Sequence, residues 1–316
     1  MVNGWSWQGK GYALCLSLIL SAGLQQAAAA FGLEHRPNWK DVPKPVRFII
    51  NMAHVPSTYP ESEYVALIQE SFRPWTQVET AEVLFSIDEH VIHDETKNRP
   101  EADGVNMILW NVGVIPRNAR TWGRAFPFDD ECDIVVELTT PFKRADVVHT
   151  IQHEFGHCLG LAHSTAVATM ARFSHFLPTL THDDRVGISV LFPNPRWPLS
   201  QEAATLRGRV LFANGEAVVG AVLSIVDGAT RQIVLAGFSG LIDQQKRMDR
   251  SGRFELPGVP TGNHQLLIRP LKMYGGVSDG HHGIPTEDFP VFQPLSVDLP
   301  ELKTGDIEDL GKLIVR

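Results

Sequence analysis

Apolar positions recur at helical spacing over residues 61–78, where Val65, Ile68, Phe72 and Trp75 share one face, and this predicts an amphipathic helix. Pro74 near its end predicts a bend or an early stop. Around that segment the period shortens. Residues 46–51 (VRFIIN), 81–88 (AEVLFSID), 106–111 (NMILWN) and 132–138 (CDIVVEL) read as strands. A second helix is predicted from residue 145, where Val147, Val148 and Ile151 lead into a histidine-rich stretch. Strands first, then this helix, suits an α+β domain with a twisted mixed sheet.

Residues 193–198 (PNPRWP) hold three prolines in six positions, and the loss of amide donors there marks a boundary. Beyond it the helical period vanishes. Residues 206–212 and 217–226 are strand-like and joined by the turn signal Asn214-Gly215; 233–238, 252–256 and 264–269 read as further strands, with GVPTG (258–262) between the last two. The expectation is an all-β sandwich over residues 197–316 after an α+β domain over 31–196. Hydrophobic content of 43% and charged content of 20% over 316 residues are those of an ordinary globular chain with ample core.

The first thirty residues differ in kind. Lys10 is their one charge, residues 12–24 are an apolar run, and Gln25-Gln26 leads into four alanines ending at Ala30. This predicts a secretory signal peptide over 1–30, the apolar run being short for a bilayer span. Cys15 lacks the small residues expected before a lipidated cysteine. With no other long apolar segment, the mature chain is expected to be soluble and secreted, periplasmic or extracellular. Losing Lys10 takes the formal charge from −8 to −9, which argues against nucleic acid and anionic membranes as partners. Cys132 and Cys158 remain, and an oxidising compartment suggests a disulfide between them; two buried small hydrophobes are the alternative, and Cys132 as a metal ligand is disfavoured.

The chemistry concentrates in His153-Glu154-Phe155-Gly156-His157-Cys158-Leu159-Gly160-Leu161-Ala162-His163. On a helix, His153 and His157 lie four residues apart, so both rings project from one face and can share a metal. Glu154 follows the first ligand directly and can reach a water at the metal without ligating it. Gly160 can take φ > 0, end the helix and turn the chain back, which brings His163 round as a third ligand. Three protein ligands leave the fourth position of one zinc open, the mark of a catalytic and not a structural site. A surface helix with coincidental histidines would not fix five positions over eleven residues.

At these residues the chain resembles the metzincin metalloproteases, and within them the matrixin-like group. The phrase HEFGHCLGLAHS is similar to the matrixin zinc signature, and Met170 falls at the methionine of the family's Met-turn, a hydrophobic floor beneath the ligands. Residues 180–192 (LTHDDRVGISVLF) are similar to the family's last catalytic-domain helix, and 120–138 (RTWGRAFPFDDECDIVVEL) to the edge strand, loop and following strand that border its cleft. The likeness spans roughly residues 37–193. It implies a hydrolase, a zinc metalloendopeptidase in which Glu154 is the general base and a polypeptide substrate lies extended along Trp122, Gly123, Arg124 and Ala125. There are departures: Met170 follows His163 one residue sooner than is usual in vertebrate members, Ala171-Arg172 replace Tyr-Pro, and no counterpart of the structural zinc and calcium loops stands between residues 88 and 120. Calcium is therefore unsupported.

The C-terminal segment is similar to the small carboxypeptidase regulatory-like β-sandwich, through Gly208-Arg209-Val210, Val219-Gly220-Ala221-Val222 and residues 249–262. That resemblance implies an accessory module that binds substrate or a surface. Other tempting residues take plainer readings. His90 and His93 are surface histidines, His281-His282 sit in a loop, His149 is packing near the site, and Asp183 and Asp184 cap a helix and, by the resemblance, brace the Met-turn. Two other functions stay open: a zinc-holding binding protein, against which Glu154 counts, and a hydrolase of non-peptide amides or esters. Oligomeric state, natural substrate and latency leave no signature.

Overall fold

A computed structural model describes residues 37–316 apart from 40–41, 43, 58, 116–121, 138–142, 173–176, 178, 241–249, 272, 275–276 and 279–289. The predicted signal peptide and His281-His282 lie outside the described residues. Among those described, no helix is long and apolar enough to cross a membrane.

The chain is mixed α and β. The first half contains β1 (Val46–Asn51), α1 (Glu61–Thr76), β2 (Phe85–Ile92), β3 (Asn106–Trp110), β4 (Gly123–Pro127), β5 (Cys132–Val136), α2 (Arg144–Leu159) and α3 (His182–Leu191). Its five strands form one sheet in the order β2-β1-β3-β5-β4, parallel except for the antiparallel β4–β5 pair that leaves β4 on an edge. Strands β3 and β5 are buried on both faces. Alternate residues divide between two clusters: Ile108, Trp110, Cys132, Ile134 and Val136 face the helices, while Met107, Leu109 and Val135 join Ile115 on the other side. Helix α1 buries Ile68, Phe72 and Trp75 of the predicted face, with Tyr64 and Leu67 beside them, while Val65 is only partly buried. It ends two residues after Pro74, so the proline acts as an early stop.

Phe155 of α2 is the keystone of this packing. Its ring stacks on Phe72 at 3.8 Å and meets Phe48 and Phe85 edge-on at 5.6 and 5.4 Å. Trp75 Nε1 donates to Gln152 O and Trp39 Nε1 to Cys158 O, both at 3.0 Å, so indole groups tie α2 down at two levels. Cys132 of β5 and Cys158 of α2 are joined by a disulfide with Cα atoms 5.6 Å apart.

The second half contains β6 (Ala204–Phe212), β7 (Val222–Asp227), β8 (Ile233–Phe238), β9 (Arg253–Val259), β10 (His264–Arg269), β11 (Met273–Tyr274), β12 (Val277–Ser278), β13 (Leu295–Asp298) and β14 (Ile307–Val315). One sheet runs β13-β10-β7-β8 and another β14-β6-β9, and Leu206, Phe254 and Leu313 of one share a single cluster with Leu223, Leu235 and Leu266 of the other. Two expectations are corrected. The second strand starts at Phe85, not Ala81, and runs on to Ile92, because residue 81 instead bridges to Pro193. Strands β13 and β14 were not anticipated; a register shift between Asp309 and Lys312, where Gly311 has φ 65°, breaks the two-residue period of β14.

Asp133 of β5 gives a test of this packing. Its buried carboxylate accepts the Met107 amide at 2.8 Å and the Glu101 amide at 3.1 Å, yet burial, followed by the nearby Glu131 and Asp103, pushes its pKa up to about 7. The folded state then holds a proton that the unfolded chain has released, so this contribution is complete below pH ~4 and is lost as pH rises through 7. From pH 4 to 7, urea titrations are expected to show the stability of the wild type falling relative to that of Asp133→Asn by up to about 4 kcal/mol.

Candidate metal centre

Helix α2 carries the chemistry, and local sequence explains its two ends. Asp146 at the third helical position accepts the Lys143 amide at 3.0 Å. At the far end Gly160 takes φ 105°, its amide bonding to His157 O at 2.9 Å while the Leu161 amide returns to Gly156 O at 3.0 Å. This glycine turn reverses the chain and carries His163 back toward the helix.

His153, His157 and His163 converge, with one ring nitrogen from each lying within 4.8 Å of the others. The orientation of two rings is set by backbone carbonyls. His153 Nδ1 donates to Thr169 O and His157 Nδ1 to Leu161 O, each at 2.7 Å. Both carbonyls accept, so each Nδ1 carries its ring proton, and the two Nε2 atoms turn toward one another 3.1 Å apart. A cation shared by the two makes the arrangement favourable. Burial first, then His157, pushes His153 down to about 3, which keeps the ring neutral and able to ligate. The donor set of three neutral imidazoles fits zinc. Among the described residues, no other group of three or more His, Cys, Asp or Glu side chains is close enough to hold a metal.

Glu154, 8% exposed, turns toward the sheet edge, where its Oε2 accepts the Ala125 amide of β4 at 2.8 Å. Gly123 permits this approach: a Cβ there would stand 2.6 Å from Thr150 Cγ2 and 2.8 Å from Glu154 Cγ. Arg124 is exposed on the same strand, and Trp122, 46% exposed, lies just before it with its carbonyl taking the Glu137 amide at 2.6 Å. Met170 is buried beneath α2, and the Met170 carbonyl accepts the Ser164 amide at 2.8 Å, closing the loop that follows His163. Its amide and that of Thr169 reach the two oxygens of Asp184 at 2.9 and 2.8 Å. The same carboxylate takes the Thr181 amide and hydroxyl, so Asp184 both caps α3 and holds the turn. Asp183 bonds elsewhere: its Oδ1 accepts the Ala236 amide of β8 at 2.7 Å, a partner that the sequence does not announce.

Gly156 is a second close-approach glycine, for a Cβ there would overlap Met170 Sδ and stand 3.0 Å from Trp75 Cζ2. Gly156→Ala is expected to destabilise the chain by roughly 1–3 kcal/mol, overpacking outweighing the gain in helix propensity. A thermal melt that rises instead would contradict this packing.

The remaining histidines stay apart. His149 is buried, its pKa lowered chiefly by burial, with its ring centroid 6.3 Å from that of His153. His93 Nε2 pairs with Glu61 on the surface at 2.9 Å. The His90 side chain lies outside the described residues.

Comparison with known proteins places this geometry. Residues 39–193, just under half of the chain, match the matrixin family of peptidases. No curated protein sequence matches. Among solved structures, the chain is similar to BcpA, the major pilin subunit of Bacillus cereus, at 13% identity over 36% of this chain and 30% of that one, with a TM-score of 0.21. The Bacillus anthracis TIE protein follows at 18% identity over 36% and 16%, with a TM-score of 0.21. A putative carbohydrate-binding protein of Pseudomonas aeruginosa has 10% identity over 37% and 89%, with a TM-score of 0.19. The chain thus spans less than a third of the first two, and likenesses this slight carry no argument. The match that counts is the one holding the histidine triangle, Glu154 and Met170: residues 39–193 are similar to the matrixin peptidases.

Proposed function

We propose that this chain is an exported zinc endopeptidase, with residues 1–30 a cleaved signal peptide, 31–196 the catalytic domain and 197–316 an accessory module of the carboxypeptidase regulatory-like kind. The observation that carries the reading is the convergence of His153, His157 and His163, one ring nitrogen from each within 4.8 Å of the others, beside a glutamate held at the edge of β4. Zinc bound by His153, His157 and His163 would supply an acidified water and polarise a carbonyl.

The other steps fall to the chain's own groups. Strand β4 is the outer strand of its sheet, so an extended polypeptide can add to it antiparallel, with Trp122 offering an apolar surface to a side chain. Glu154 takes a proton from the attacking water while the water oxygen bonds to the carbonyl carbon. It then passes that proton to the amine nitrogen as the C–N bond breaks. The Ala125 amide on Oε2 fixes the direction in which the carboxylate faces. Met170 and Asp184 hold the carbonyl of Thr169 where it orients His153.

The test is cleavage of a mixed-sequence peptide library by zinc-loaded protein, with a chelated sample beside it. Cuts internal to the peptides, seen only with zinc, are the expected result, and their flanking residues report the subsite preference. Zinc bound at one per chain without any cut would instead support a binding role.

A further inference from the structure

We propose that the C-terminal β half is a structural part of the metal centre, coupled to it by Asp183, a positioning residue that ties strand β8 to the loop between His163 and Met170.

Helix α3 is the shared element. Its Ile188 and Leu191 belong to the core of the first half, whereas Val186 belongs to the cluster of the two C-terminal sheets and Val190 packs against it. The contact is intimate. Gly258 of β9 lies so close that a Cβ there would overlap both methyl groups of Val186, and the Gly258 carbonyl hydrogen-bonds to His182 Nε2 at 2.6 Å. The module is therefore more than tethered: its core shares the last helix of the first half.

Strand β8 then reaches past α3 toward the metal ligands. It is the edge strand of its sheet, and the Ala236 amide that faces away from β7 donates to Asp183 Oδ1. Asp183 also hydrogen-bonds to the side chain of Ser164, the residue directly after His163. One turn of the same loop is held again from β8, where the Val167 amide donates to Ile233 O at 3.3 Å. Ala236 and Phe238 line a small cavity of about 20 Å³ together with His163, Met170 and Asp184.

The electrostatics make the Ala236 amide necessary. Asp183 and Asp184 are adjacent, both under 4% exposed, and Asp184 is compensated by donors from its own half of the chain, at Thr169, Met170 and Thr181. The backbone donor to Asp183 comes from the β half. Without it a second carboxylate would stand buried and under-paired beside the one that holds the Met170 turn, and that turn carries the Thr169 carbonyl that orients His153. The β half thus holds the ligand loop in register from behind.

The activity readout rests on the zinc-peptidase reading; the metal-release and exchange readouts do not. In the full chain, Ala236→Pro removes one amide at an edge position whose N–H does not serve the strand ladder, and Asp183→Ala removes the acceptor. Both are expected to fold with an unchanged circular dichroism spectrum, to lose zinc to a chelator at least tenfold faster, and to lower kcat about tenfold with KM within twofold. Asp183→Asn keeps the acceptor oxygen and is expected to restore most of both. Folded variants with wild-type zinc release overturn the proposal whether or not peptides are cut; if the wild type cuts nothing, the peptidase reading fails alone and zinc release still decides. Native-state hydrogen exchange of the unmodified chain covers the case in which neither variant folds. The amides of Met170 and Ala236 are expected to open with one free energy and one denaturant slope, and independent opening overturns the coupling.

Discussion

Glu154→Gln is expected to lower kcat/KM on any cleaved peptide by about a thousandfold, within the range for loss of a general base, while zinc stays at one per chain. The change is nearly isosteric. A glutamine oxygen can still accept the Ala125 amide that the carboxylate accepts at 2.8 Å, and the side chain still fills the space left by Gly123. What it cannot do is take a proton from water at neutral pH. Because none of the three converging nitrogens belongs to residue 154, metal content should not follow activity. Activity above a tenth of wild type would remove Glu154 from the mechanism, and loss of zinc would mean that it serves the ligand set.

Much of the site was legible because its logic is local. The four-residue spacing of His153 and His157, the reversal at Gly160 and the placement of Met170 are statements about one turn of helix and one loop, and such spacings survive any tertiary context. Strand β1 and the Ile68, Phe72 and Trp75 stripe of α1 were legible for the same reason, whereas Tyr64 and Leu67 displaced Val65 from the buried face. What could not be read are the partners that only folding brings together. Glu154 meets Ala125 across 29 residues, and Asp183 meets Ala236 across 53. Gly123 and Gly156 looked like ordinary glycines until the Glu154 stem and the Met170 thioether were set against them. Asp183 and Asp184 read as one acidic cap, yet one serves the α3 terminus and the Met170 turn while the other reaches into a different sheet. Strand β14 hid behind a bulge, where Gly311 shifts its apolar positions out of phase with a two-residue repeat.

Replacing both cysteines, Cys132→Ala with Cys158→Ala, is expected to remove about 3.5 kcal/mol of stability, from the chain entropy of a loop closed over 26 residues. The melting temperature should fall by roughly 10 °C, with zinc still bound at 25 °C. Both sulfurs are fully buried, so the bridge has no exposure through which to serve as a reactive pair, and its role is in packing. Its position gives the effect a direction. Cys158 directly follows His157, and Cys132 begins the strand against which the edge strand β4 pairs, so the bond ties the ligand-bearing helix to the strand neighbouring the edge where Glu154 is held. Opening it should therefore loosen the relation of α2 to β4 before it frees the metal, and near the melting point activity should fall at lower temperatures than zinc release does. Coincident loss of the two would mean that the bridge stabilises the first half as a whole. A double variant that melts with the wild type would show that Phe155, Trp75 and Trp39 already hold α2 in place without it.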